Sequence, residues 1–125
     1  MKKKLAFIAI VLAICSFKLI DEPNPLLGKW ESKTVYKEGP LSILLLFRAD
    51  GTYDGFANKK TFVNGTYHVS KDTIFIADPI CNSKYNGKYK LTIFGERDSV
   101  KFDVISDTCK ARVAGANGFT FKRVK

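Results

Sequence analysis

The chain has 125 residues, a formal net charge of +9, a single histidine and three cysteines. That length fits one domain. One His, with no CxxC spacing among the cysteines, leaves no set of metal ligands, so no metal and no cofactor is expected. A basic chain would ordinarily point to nucleic acid, but the opening residues direct this one out of the cytoplasm, and nucleic acid is not an expected partner.

Met1-Lys2-Lys3-Lys4 precedes an unbroken apolar run from Leu5 to Cys15. Ser16 and Phe17 then lead into Lys18 and the acidic pair Asp21-Glu22. A basic start, an apolar stretch and a change to polar residues make a secretory signal peptide. From Leu5 to Phe17 there are 13 residues, short of the about 20 that a membrane-spanning helix needs. The protein is therefore expected to be exported: periplasmic, secreted or membrane-anchored. Ala13-Ile14-Cys15 suits cleavage after Cys15. Leu12-Ala13-Ile14-Cys15 also resembles the bacterial lipoprotein box, with Ile14 where a small residue is usual. That resemblance implies a lipidated Cys15, the one route by which a membrane becomes a partner.

Removing residues 1–15 leaves 110 residues and a charge of +6. Residues 16–25, with Pro23 and Pro25 and no periodicity, read as a linker, and 26–125 as one domain. The excess charge is dispersed, with small concentrations at Lys59-Lys60, Lys84 to Lys90 and Lys122 to Lys125. A solvated surface is the expected reading. A domain this small buries about two thirds of its unfolded surface, so a covalent staple would help. Cys81 and Cys109 remain as an even pair in a compartment where disulfides persist. Joining them would stabilise the fold by about 3–4 kcal/mol.

The first strand is expected over 27–36, where Trp30, Ser32, Thr34 and Tyr36 share one face. Gly39-Pro40 should break it. The second strand, 42–48, is apolar from Ile43 to Phe47, as if covered on both faces. Asp50-Gly51 is a turn signal, the third strand covers 52–57, and Asn58-Lys59-Lys60 turns again. The fourth and fifth strands follow at 62–69 and 73–77. The stretch 78–87 is irregular. Residues 88–94 put Tyr89, Leu91 and Ile93 on one face, and 99–105 do the same with Val100, Phe102 and Val104. Residues 106–118 hold Cys109 and room for a short helical turn. The last strand, 118–124, aligns Phe119, Phe121 and Arg123. Eight strands joined mainly by tight turns predict an all-β, antiparallel up-and-down barrel, because closure removes exposed edges. An open sheet or sandwich is the rival.

Gly28-Lys29-Trp30 at the first strand and Arg123 on the last resemble the small bacterial exported lipocalin-like domains of the calycin group. In that group a Gly-x-Trp opens the barrel and a basic residue of the final strand packs over the Trp. The resemblance implies that Gly28, Trp30 and Arg123 close the barrel, with an Arg–indole contact worth about 0.5–2 kcal/mol.

No catalytic residue is expected. His68 lies mid-strand, where a cross-strand or surface role outweighs general-base work, and it has no nucleophile motif beside it. Asp50 and Asp54 do not complete a calcium loop. Phe and Tyr total 15, and most suit inward positions. Filling of the core is the expectation for so small a barrel, although Tyr36, Tyr53 and Tyr85 could line a pocket mouth and contact ligand. The leading reading is a non-catalytic binding protein for a small apolar or amphipathic molecule. The alternative is a protein-binding module such as an exported hydrolase inhibitor, for which similar small barrels are used.

Overall fold

The computed structural model describes residues 24–125. The export segment and Cys15 lie outside the described residues, as does the expected linker apart from Asn24 and Pro25. The elements run β1 (Gly28–Tyr36), β2 (Gly39–Phe47), β3 (Thr52–Ala57), β4 (Lys60–Ser70), β5 (Thr73–Ala77), β6 (Gly87–Phe94), β7 (Ser99–Ser106), the helix α1 (Lys110–Ala116) and β8 (Thr120–Val124). Each strand pairs antiparallel with the next, and β8 returns to β1 to close the barrel. The fold is the expected eight-stranded up-and-down barrel, lipocalin-like in architecture, and the open-sheet rival falls away.

Alternation drives the closure. Trp30, Phe47, Tyr53, Val63, Tyr67, Ile74, Tyr89, Leu91, Val100, Phe102 and Phe121 are buried in one inner cluster, with Leu26 beneath them. Their neighbours along each strand are mostly exposed. On the outer wall His68, Phe75 and Lys88 stand in register across three strands. The His68 ring stacks on Phe75 at 5.3 Å, so the single histidine is an exposed cross-strand partner.

Three local expectations change. Gly39-Pro40 does not interrupt the chain between strands but begins β2, with Pro40 opposite Val35. Lys37-Glu38 alone make the turn. Pairing of β2 with β3 starts only at Ile43, so at Pro40 the strand has one neighbour and a missing N–H is tolerated. Lys60 likewise belongs to β4, because Asn58 (φ 48°) and Lys59 (φ 72°) complete a two-residue turn with both residues left-handed. Finally, β2 is not fully covered on either face: inward Leu41, Ile43 and Leu45 and outward Leu44 and Leu46 are all half-buried, and only Phe47 is buried.

Because the strands alternate in direction, the β1–β2, β3–β4 and β5–β6 connections and the segment carrying α1 all gather at one end. The N-terminal segment, the other three loops and the C-terminus gather at the opposite end. These two ends are built differently.

Candidate functional site

The N-terminal end is sealed. Leu26 and Trp30 are both fully buried, and the indole Nε1 donates to the Leu26 carbonyl at 2.9 Å. Trp30 pairs directly with Arg123 across the β1–β8 seam. The guanidinium lies 4.2 Å from the indole ring centre and donates to the carbonyls of Leu27 (2.8 Å) and Pro25 (3.0 Å). Gly28, at φ +110°, turns the chain into the strand beside that guanidinium. All three closure residues therefore meet at one point. Asn24 joins them: its side chain accepts from the Leu26 N–H and donates to the Tyr67 hydroxyl, which itself donates to the Arg48 carbonyl. Asn24 and Pro25, read as linker from their composition, are structural parts of this seal.

The opposite end holds a cavity of about 330 Å3. Inward residues of β2 (Leu41, Ile43, Leu45, Phe47) form one wall, and Ile74, Ile76 and Phe102 contribute others. The small residues Ala111, Ala114, Gly115 and Ala116 of α1 lie along it without filling it. A bulge in the β3–β4 ladder between Gly55 and Phe56 breaks the period of two, so consecutive Phe62 and Val63 both border the cavity. Tyr36, Phe62 and Ile80 form an exposed apolar rim.

Besides Tyr36 at the rim, four polar residues border the same cavity: Tyr53, Asp78, Tyr89 and Arg112. They join Asp107 in a buried network. Tyr53 donates to Asp78 Oδ2 at 2.6 Å, where Arg112 Nη1 also donates at 3.0 Å. Arg112 forks onto Asp107 through Nε (2.7 Å) and Nη2 (2.9 Å), and Tyr89 donates to Asp107 Oδ2 at 2.6 Å. Backbone N–H groups of Ile80 and Cys109 occupy the other carboxylate oxygens. Both Asp side chains are inaccessible and the Arg112 side chain is 5% exposed. No buried side-chain polar atom among the described residues lacks a partner.

Two glycines make room for the two carboxylates. A Cβ on Gly65 would come within 2.6 Å of the Tyr53 ring and 2.8 Å of Asp78 Cβ, and one on Gly87 would overlap the Asp107 carboxylate. Burial pushes the Tyr53 and Tyr89 phenols up, reinforced by the carboxylates they face, so both remain protonated donors. Burial opposes ionisation of Asp107, but the hydrogen bonds from Arg112, Tyr89 and the Cys109 N–H outweigh it and hold its carboxyl below its ordinary value.

The expected disulfide is present. Cys81 and Cys109 are joined with Cα atoms 5.7 Å apart. It fastens the β5–β6 loop to the residue just before α1, and so helps keep Asp78, three residues before Cys81, within reach of Arg112, three residues after Cys109. Of the three tyrosines expected at a pocket, Tyr36 stands at the rim and Tyr53 at the polar end. Tyr85 stands apart from the cavity and accepts a hydrogen bond from the Thr108 N–H at 3.2 Å. Asp78, Tyr89, Asp107 and Arg112 were not foreseen as site residues. Asp78, Asp107 and Arg112 lie within three residues of the two cysteines, a proximity that does not by itself specify their pairing.

The fold and cavity define a closed antiparallel barrel with one sealed end and one apolar pocket. Comparison with known proteins returns neither a matching family model nor a matching curated protein.

Proposed function

We propose that this protein is an exported, non-catalytic binding protein of the bacterial lipocalin-like kind, and that its barrel holds a small apolar or amphipathic molecule. The observation that carries this reading is the apolar cavity of about 330 Å3, at the lower end of the roughly 300–1,000 Å3 range of small-molecule sites. Its few polar groups converge at one place, as orienting groups in such sites do. The acids nearest the cavity are engaged in ion pairs with Arg112, which supports binding rather than acid–base chemistry. The disulfide suits an oxidising compartment, and lipidation at Cys15 would add a tether to a membrane.

Native mass spectrometry of protein purified from its exported compartment, followed by organic extraction, tests the proposal. A stoichiometric adduct recovered in the organic phase supports it and defines the ligand class. An empty barrel that also fails to bind a neutral apolar dye counts against it. The same spectrum reports the mass of any lipid on Cys15. The exposed rim of Tyr36, Phe62 and Ile80, with the 80%-exposed Val35 beside Tyr36 in sequence, favours a second reading, a surface for a protein such as a hydrolase. Inhibition of a hydrolase by the empty barrel would support that alternative.

A further inference from the structure

The polar end of the cavity carries more negative than positive charge. Among the described residues Arg112 is the one cation bordering it, whereas Asp78 and Asp107 both bond to that guanidinium, leaving a formal charge of −1. Tyr53 and Tyr89 already donate their protons to the two carboxylates, so what their oxygens retain is lone pairs. Three of the five Arg112 N–H groups are committed to the same carboxylates. A carboxylate entering here would bring a second excess negative charge beside the first. An amine or hydroxyl would instead bring a donor to that net negative charge and to the lone pairs left on the Tyr53 and Tyr89 oxygens.

We propose that the cavity selects its ligand by the polar end, favouring an apolar chain that terminates in a hydrogen-bond donor, an amine or an alcohol, over one that terminates in a carboxylate. This rests on the reading of the cavity as a ligand site. It opposes the preference set by the whole molecule, since the chain without residues 1–15 keeps a formal charge of +6 and attracts anions from solution. The order of affinities therefore separates the local network from bulk electrostatics.

The test is displacement of the neutral dye N-phenyl-1-naphthylamine from the exported protein by decylamine, decanol and decanoate, each below its micelle concentration. The expected result is displacement by the amine and the alcohol at concentrations about tenfold or more below those needed for decanoate. Decanoate binding as tightly as the other two, or more tightly, overturns the head-group preference and leaves the cavity as a ligand site. Failure of the dye and of all three chains to bind overturns both. Asp78→Asn makes the network neutral, so it should narrow the gap between decanoate and decanol. A folded Asp78→Asn protein with the gap intact overturns the role given to the network. Should that variant fail to fold, the wild-type series decides alone.

Discussion

The two ends of this barrel solve one problem, how to finish a cylinder of strands, in opposite ways. At the sealed end, Trp30 and Leu26 fill the space, and the charged Arg123 lies over the indole and bonds to backbone carbonyls. At the cavity end, the wall-lining residues of α1 are small and the interior charge is a network of one cation and two anions. A filled end needs only apolar volume and local hydrogen bonds. An end that stays hollow needs its wall held by links other than apolar filling, here a disulfide and the ion pairs of Arg112.

The largest effects should come from removing the centre of either end. Arg112→Ala leaves two buried carboxylates without their cation and should lower stability by about 3–5 kcal/mol, read by urea denaturation. Trp30→Ala should cost a similar amount, about 3–5 kcal/mol, by opening a cavity in the packed end. A near-zero change there would defeat its role in closure.

The contrast sharpens with the disulfide. Replacing Cys81 and Cys109 together by Ser should cost about 3–4 kcal/mol. Hydrogen exchange should then accelerate first in α1 and the β5–β6 loop, with β1 and β8 still protected. Uniform acceleration would mean that the bond acts on the unfolded chain alone. Thiol titration of the native, unreduced protein should find neither cysteine free.

Smaller effects follow at single charges. Arg123→Met keeps apolar contact with the indole but loses the cation, and should cost about 0.5–2 kcal/mol. The pH dependence assigned to Asp107 has a definite sign. Its folded-state pKa is depressed, so its contribution is complete above the unfolded-state value of about 4 and is lost as pH falls toward the folded-state value. Asp107→Asn should flatten that acid limb of the stability curve. An unchanged limb would remove Asp107 as its source.

Much of the sealed end was legible in the residues. Gly28, Trp30 and Arg123 are marked by the resemblance to lipocalin-like domains, and strand parity adds that Arg123 shares a face with Phe121. The cavity end was less legible. Period-two reasoning assigns Phe62 and Val63 to opposite faces, and the bulge after Gly55 places both along the cavity. Asp78 and Asp107 fall in irregular stretches where no periodicity marks a direction. The expectation that a barrel this small would be filled also gave way, because small α1 residues, rather than large ones, line one side of the hollow.

By itself, the sequence determined the number of strands, the up-and-down order and the pairing of Cys81 with Cys109, since these follow from alternation, turn chemistry and cysteine count, while the residues that close one end were implied by the resemblance to lipocalin-like domains. Only the tertiary structure decided that the interior stays partly hollow and that one arginine serves two aspartates within it. Both depend on distances between residues far apart in the chain, such as Asp78 and Arg112, and local patterns of propensity and polarity carry no information about such distances.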